Sequence, residues 1–222
     1  MIYATFITEN LSIKNTTNVS QSSTYNYTKG NKHIYRNATN ANDGEFGTRE
    51  ADCAHTAPGH DKAWFQVDLG STYSLKSIII TYRDEGETWK PYRFRQFYLD
   101  VANVSESNSL KTGRFRCYTD NTTNSSVPPN VIHIPCKQAA RYVIVETIYD
   151  APEDEITGAI LELCEIEIYV LSASINSVLK VMVIVIIEGV KQAITETNVI
   201  GLVLTVLERT VLVKEESAPR AA

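Results

Sequence analysis

The amino-acid sequence predicts an all-β protein, and two observations support this prediction. Val, Ile, Thr and Tyr, which favour strands, are plentiful in the 222 residues, whereas Gly (10) and Pro (7) are modest in number. Apolar runs of strand length also recur from Trp64 onward with short polar separators, a spacing typical of all-β folds. With 43% hydrophobic and 21% charged residues, the chain can bury one core, which excludes collagen, a coiled coil and wholesale disorder.

The apolar runs predict strands at residues 64–69, 75–83, 94–103, 131–136, 141–149 and 160–170. In the last of these runs the alternation of apolar residues slips by one position between Leu163 and Cys164. A slip of one residue turns the buried face over, so we expect a bulge or bend there that re-aims Glu165.

Two polar stretches lie outside these strands. Residues 15–62 are dominated by Asn, Thr, Ser, Gly, His and charged residues, so we expect a long loop. Long ordered loops in compact domains usually carry function. Residues 105–129 are interpreted as a glycosylated surface loop, with disorder as the alternative.

The C-terminal residues have a different character. Val, Ile and Leu blocks broken by charged residues fit neither a good helix nor a membrane span. An extra hairpin, an interfacial segment and a stretch foreign to the domain remain as interpretations, and the β-branched run 181–187 is an aggregation liability. We therefore divide the chain into an N-terminal lead (1–8), a domain (9–170) and a hydrophobic tail (171–222).

Charge argues against a nucleic-acid partner. The 21 Lys and Arg residues are outnumbered by 26 Asp and Glu residues, which gives a net charge of −5, and no Lys/Arg run exceeds two residues. Such a sequence has nothing that would neutralise a line of phosphates.

The compartment is suggested by eight Asn-x-Ser/Thr sequons, which favour a secreted or cell-surface glycoprotein. An Asn- and Thr-rich loop composition also produces sequons. Residues 1–6 have neither the basic region nor the apolar core of a signal peptide, so we expect the true N-terminus to lie upstream. The sequons start at Asn10, Asn15, Asn18, Asn26, Asn37, Asn103, Asn121 and Asn124.

Four cysteines with wide spacings and no Cys-x-x-Cys pair indicate disulfides rather than a zinc site. Three pairings are possible. Sequence spacing favours Cys117 with Cys136, which leaves Cys53 for Cys164 and ties an early loop to the last strand.

Common enzyme motifs are absent from the sequence: there is no Gly-x-Ser-x-Gly, His-Glu-x-x-His, Gly-x-Gly-x-x-Gly or phosphate-binding Gly-rich loop. The acidic residues 150–155 could supply an acid/base pair, but a solvated acidic loop explains them more simply. Cys53, His55 and His60 could be zinc ligands, but no fourth ligand lies nearby in the sequence.

A calcium site is a more coherent hypothesis. Asn40, Asp43 and Glu45 place oxygen-bearing side chains at i, i+3 and i+5 around Gly44, and calcium takes six to eight oxygen ligands. If Cys53 bonds to Cys164, their sequence neighbours Asp52 and Glu165 supply two more oxygens. The same Asn-Asp-Gly sequence is also that of an ordinary turn.

Several short segments follow one another in the order seen in the F-type lectins, the fucolectin/tachylectin-4/pentraxin-1 domain, and the resemblance covers about residues 9–170. It implies a jelly-roll β-sandwich of the galactose-binding type, a structural calcium ion and a shallow pocket for terminal L-fucose. The implied calcium ligands are Asn40, Asp43, Glu45, Asp52, the Cys164 carbonyl and Glu165. The segments are Glu-Asn-Leu-Ser (9–12), 40–44, Cys-Ala-His-Thr (53–56), Trp-Phe-Gln-Val-Asp-Leu (64–69), 78–83, Arg-Tyr-Val (141–143) and Leu-Cys-Glu-Ile-Glu (163–167).

The sugar motif of that family is a His, about 26 residues, Arg-x-Asp, and Arg or Lys four residues further on. Here His55 is followed after 27 residues by Arg83, with Glu85 in the Asp place and Lys90 after four more. The resemblance therefore assigns His55, Arg83 and Lys90 as sugar contacts that donate hydrogen bonds to hydroxyls. The family often has two adjacent cysteines where residues 86–87 are Gly and Glu, and Trp89 could supply the missing apolar surface.

The sequence thus predicts an extracellular, non-enzymatic lectin domain that binds L-fucose or a related terminal sugar with calcium. Weak single sites need several copies for avidity, so we expect oligomers or tandem domains. One alternative is a receptor ectodomain fragment whose degenerate pocket leaves a structural or protein-binding module. A hydrolase that uses Asp154 or Glu155 is a third interpretation.

Overall fold

The computed structural model describes residues 5–86, 90–106, 113–123, 126–153 and 155–174. Within it, Ile7–Ser172 form one compact unit. The remaining residues, Met1–Phe6 and Ala173–Ala222, are assigned to a second unit that lies almost entirely outside the described residues. The predicted tail therefore lies outside them beyond Ser174.

The described elements are strands with a few short 3-10 turns. Among these residues, no helix is both long enough and apolar enough to cross a membrane. The 3-10 turns are Ala38–Ala41, Glu50–Asp52 and Lys90–Arg93. The strands are β1 (Thr5–Asn10), β2 (Asn18–Gln21), β3 (Asn26–Lys29), β4 (Lys32–Tyr35), β5 (Ala54–His55), β6 (Ala63–Tyr82), β7 (Phe97–Ala102), β8 (Phe115–Thr119), β9 (Val131–Pro135), β10 (Ala139–Thr147) and β11 (Glu162–Ser174).

The long strand β6 belongs to two layers. Its first half pairs antiparallel with β2 and β10, and β10 continues through β7 to β8. Its second half pairs antiparallel with β9 and β11, and β11 also pairs with β5. The prediction of an all-β fold is confirmed for the described residues, and all of these pairings are antiparallel.

Gly70 lies where β6 passes from one layer to the other. It adopts φ +77°, and a Cβ there would lie 3.1 Å from the Thr16 carbonyl oxygen, so a side chain would be strained on both counts. Against β10, the register jumps from Asp68 to Tyr73 across this bend. The prediction of two separate strands, 64–69 and 75–83, was therefore wrong: the polar residues between them bend the chain without reversing it.

The core lies between the two layers. Both halves of β6 face it with alternate side chains, such as Phe65 and Val67 from the first half and Ile78 and Ile80 from the second, all fully buried. They join one cluster with side chains of the other central strands. Alternation of buried and exposed positions is expected for strands that bury one face.

The expectation of a long loop at residues 15–62 was wrong in part, because β2 to β5 lie within it. The β3–β4 hairpin turns at Gly30, which has φ +62°. Its residues are mostly exposed, so the period-2 apolar pattern that identifies a half-buried strand is missing. For the same reason β8, with an exposed half, was not predicted within residues 105–129.

The predicted bulge in the last strand is confirmed. Against β6, the register of β11 shifts between Leu163, which lies opposite Tyr82, and Glu165, which lies opposite Thr81. Glu162 and Glu165, on either side of the shift, are both buried. A single extra residue thus directs two carboxylates into the protein from one strand.

Both predicted disulfides are confirmed. Cys53 is bonded to Cys164 across 111 residues, and Cys117 to Cys136 across 19. The first bond joins the segment before β5 to the bulge of β11, and the second joins β8 to the residue after β9.

Removing the longer-range disulfide should cost more stability than removing the shorter one. A chain-entropy estimate gives about 5 kcal/mol for the Cys53→Ala/Cys164→Ala pair and about 3 kcal/mol for the Cys117→Ala/Cys136→Ala pair. Denaturant unfolding measures the free energy of unfolding of the two double variants and of the parent chain. A chelator is present in all samples so that no bound metal ion contributes. Equal losses in the two variants would contradict it.

Candidate functional site

A pocket opens where several loops meet at the end of β6. Tyr25 comes from the segment before β3, Glu50 from a 3-10 turn and His55 from β5. Arg83 directly follows β6, and Arg93 ends the 3-10 turn before β7. Its remaining lining is apolar and comprises Pro58, Ile156 and Ile160.

One buried carboxylate organises the cations of this pocket. Glu162 Oε1 lies 2.7 Å from His55 Nε2, 2.5 Å from Arg83 Nη1 and 3.4 Å from Arg93 Nη1. Burial alone would raise the pKa of Glu162, but the hydrogen bond from His55 and the charges of His55, Arg83 and Arg93 outweigh it and lower that pKa to about 2. Glu162 is therefore an anion, and its Oε1 atom contacts three donor groups.

The register of β5 against β11 explains how His55 reaches Glu162, because these two residues are direct partners across the strands. The His55 ring also donates from Nδ1 to the Thr56 carbonyl at 2.7 Å and stacks on Tyr25, with ring centroids 4.5 Å apart. Both ring nitrogens thus face oxygens of the protein itself.

Arg83 is held by two further carboxylates. Glu85 Oε1 accepts from Arg83 Nε at 3.2 Å and from the Glu50 backbone amide. Glu50 Oε2 lies 3.5 Å from Arg83 Nη2, and Glu50 Oε1 accepts from the Arg36 guanidinium. The structure therefore places Glu85, predicted as a sugar-site residue, beside Arg83, where it binds the protein chain.

The other two predicted sugar contacts are not placed. Lys90 begins a 3-10 turn, but the structure does not describe its side chain. Trp89 is outside the described residues. Arg93, which the sequence motif did not identify, lines the pocket instead and is 5% exposed. Tyr25, Glu50 and Glu162 were also missed, since strand register brings Glu162 to His55 and loop packing brings the other two to the pocket.

The predicted calcium ligands lie around the Asn40–Asp52 loop. Asn40 donates its amide hydrogens to the carbonyls of Ala51 and Cys53, so its Oδ1 is not used in these bonds. Asp43 Oδ1 accepts from the Glu45 amide, and Asp43 and Glu45 are both exposed. Asp52 Oδ2 accepts from the Arg49 amide.

Glu165 is the ligand candidate with the clearest physical signature. Its Oε2 accepts from the Gly44 amide at 3.3 Å, whereas its Oε1 is buried with no hydrogen-bond partner. Burial, with smaller effects of Asp43 and Glu167, raises the pKa of Glu165 to about 8. A buried carboxylate oxygen without a partner fits a cation, and the bulge at Cys164 places it against the loop.

The donor set around that loop suits calcium better than zinc. Within the described ranges, no group of three or more His, Cys, Asp and Glu side chains converges as a metal cluster. Cys53 is in a disulfide and cannot serve as a zinc thiolate. A cation here would therefore depend on Glu165 together with amide and backbone carbonyl oxygens, the ligands typical of calcium.

Within its described residues, the acidic loop before β11 forms no acid/base pair. Glu153 binds the Arg95 guanidinium through both of its oxygens at 2.6 Å. Glu155 is exposed, and Asp154 lies outside the described residues. The described part of this loop therefore gives the hydrolase interpretation no support.

Comparison with known proteins gives one family match. Residues 40–145 match the family described as NedA-like, galactose-binding domain. A search of the curated proteins gave no match.

Among solved structures, a fucolectin from striped bass (Morone saxatilis) serum is similar with 25% identity and a TM-score of 0.55 over 73% of this chain. The present chain spans about half of that protein, 49% of its length. The lectin domain of lectinolysin, solved as a histidine mutant with Lewis b, gives 23% identity and a TM-score of 0.53, covering 76% of this chain and 100% of that domain. A Streptococcus pneumoniae fucose-binding module is similar with 22% identity and a TM-score of 0.52, covering 74% of this chain and 99% of that module.

The resemblance to the F-type lectins is therefore confirmed for the fold. Residues 40–145 match a galactose-binding family, and the described strands have the architecture of a fucolectin and of fucose-binding modules.

Proposed function

We propose that this chain is a non-enzymatic carbohydrate-binding domain that recognises L-fucose or a related terminal sugar and depends on calcium. The observation that carries this proposal is the pocket in which Arg83, Arg93 and His55 gather on the buried carboxylate of Glu162 beside an apolar wall. Guanidinium groups donate several hydrogen bonds in a fixed geometry, which suits the paired lone pairs of sugar hydroxyls.

The apolar wall supplies the second half of sugar recognition. Tyr25, Pro58, Ile156 and Ile160 line one pocket with the cations, and Ile156 is 42% exposed. Sugars have C–H faces that pack on aromatic and aliphatic side chains while their hydroxyls meet polar groups. A 6-deoxy sugar such as L-fucose adds a methyl group that this wall could bury.

Calcium would act on the pocket through the segment 48–52. The Thr48 carbonyl and hydroxyl exchange hydrogen bonds with the Asp84 backbone at 3.0 and 2.8 Å, and Glu50 reaches Arg83. The same segment ends at Asp52, a candidate calcium ligand. An ion that orders the loop would restrict the side-chain motion of Glu50 and Arg83 before a sugar binds. Less conformational entropy would then be lost when the sugar binds.

The setting we propose is extracellular. Two disulfides, eight sequons and the serum source of the similar fucolectin support it. Single sugar sites usually bind weakly, so tandem domains or oligomers would provide avidity.

A second candidate function is a structural or protein-binding module of a larger surface receptor, with a pocket that no longer binds sugar. Two observations favour it. Gly86 follows Glu85 where the F-type lectins often have the first of two cysteines, and both nitrogens of His55 are already engaged by the protein.

L-Fucose titrated calorimetrically into the calcium-loaded chain should bind saturably, and Arg83→Ala should weaken binding at least tenfold, since a charged donor to a ligand is worth about 1.5–3 kcal/mol. Arg141→Ala is the matched control because Arg141 forms an exposed ion pair with Asp68. Chelator should weaken binding as well. No binding of L-fucose or D-galactose to the loaded chain would favour the receptor-module function.

Glu162→Gln should destabilise the fold by about 3–5 kcal/mol, because it removes the buried anion that Arg83 and Arg93 share. Glu9→Gln, which affects an exposed ion pair with Lys14, should change stability by less than about 1 kcal/mol. Urea unfolding at neutral pH measures both. A Glu162→Gln variant as stable as the parent chain would show that this carboxylate does not organise the pocket.

Calcium should raise the melting temperature of the parent chain, and Glu165→Gln should largely abolish that rise because it removes a charged ligand. In chelator at pH 4.5, Glu165→Gln should be about as stable as the parent, because a pKa of about 8 keeps Glu165 of the folded parent protonated. As the pH rises from 4.5, the ordinary pKa of this carboxyl, to about 8, the variant should become the more stable of the two, because the folded parent must keep a proton that its unfolded chain releases. Scanning calorimetry with and without calcium checks both parts, with Glu9→Gln as control. An unchanged calcium effect in Glu165→Gln would contradict the assigned site.

A further inference from the structure

Arg95 is a buried arginine outside the sugar pocket. It lies two residues after Arg93 and is only 1% exposed, which makes it one of the largest fully buried side chains among the described residues. Its guanidinium lies between two aromatic rings, 4.8 Å from the Tyr92 centroid and 5.1 Å from the Tyr149 centroid. Burial of a permanent charge is costly unless partners surround it.

Partners from two different segments surround this guanidinium. On its own segment, Nε donates to the Tyr92 carbonyl at 2.9 Å. From the segment after β10, the Tyr149 hydroxyl and both oxygens of Glu153 accept from Nη2, the latter at 2.6 Å each. Burial is the main cause that raises the pKa of Tyr149, so its hydroxyl keeps its proton.

Each of the joined segments carries one wall of the pocket. Arg93 lines the pocket two residues before Arg95, and between them Phe94 stacks on Tyr82 with centroids 4.7 Å apart. On the other segment, Ile156 follows Glu153 by three residues and lines the same pocket. The side chains of residues 93, 94 and 95 thus point in three directions. Arg93 points to the pocket, Phe94 to the core, and Arg95 to Tyr92, Tyr149 and Glu153.

We propose that Arg95 is a positioning residue that fixes the Arg93 wall and the Ile156 wall of the pocket relative to each other. The assignment of these walls to sugar binding rests on the proposed function, but the mechanical role of Arg95 does not. A guanidinium suits this role because its planar fork binds a carboxylate and stacks between rings at the same time, whereas an ammonium group does neither as well.

The test uses Arg95→Lys, which keeps the charge, and Glu153→Gln, whose site is 25% exposed and therefore tolerates change more readily. Arg141→Lys is the matched control. Hydrogen–deuterium exchange should rise about tenfold or more in peptides that carry residues 92–96 and 156–160, and should stay unchanged in the core strand at Val143 and Val145. In the same variants the dissociation constant for L-fucose should rise about tenfold.

The proposal would be overturned by exchange that rises in neither peptide or in only one of them, and by exchange that rises equally in the core strand, which would indicate general destabilisation. Sugar affinity within twofold of the parent despite loosened walls would also overturn the positioning role. If the parent chain binds no sugar, the proposed function fails, and the exchange measurement still decides whether Arg95 joins the two walls.

Discussion

The arrangement of the pocket depends on one buried carboxylate. Glu162 is 2% exposed, and its Oε1 contacts His55, Arg83 and Arg93. Without an anion at this position, the two buried guanidiniums of Arg83 and Arg93 would repel each other in a medium of low dielectric constant. The carboxylate therefore determines both the folding of these loops and the direction in which their remaining donors point.

Strand β11 links this carboxylate to the candidate ion site. The bulge at Cys164 lies between Glu162 and Glu165. The same strand therefore presents the Glu162 carboxylate to the pocket and the Glu165 carboxylate to the Gly44 turn. The Cys53–Cys164 disulfide fastens the same point to the segment that leads into His55. A regular strand would place residues 162 and 165 on opposite faces of the sheet, and the bulge between them changes that relation.

The sequence predicted the elements whose signal is local. Alternating apolar residues identified the central strands, a phase slip identified the bulge at Cys164, and cysteine spacing identified both disulfides. The β3–β4 hairpin and β8 were missed because none of their residues is fully buried, so these strands lack the alternating apolar pattern of a half-buried strand. In the pocket, the motif found His55 and Arg83, whereas Glu162 and Arg93 were missed because strand register and loop packing are not local properties of the sequence.

The charge balance of the pocket favours a neutral ligand over an anionic one. Arg83 contacts three carboxylates, those of Glu50, Glu85 and Glu162, and the last of these is shared with His55 and Arg93. A phosphate or carboxylate ligand would have to approach these acidic groups and compete with them for the same guanidiniums. Hydroxyl groups carry no net charge and can use the donors that remain, so the electrostatics of this pocket suit a neutral sugar.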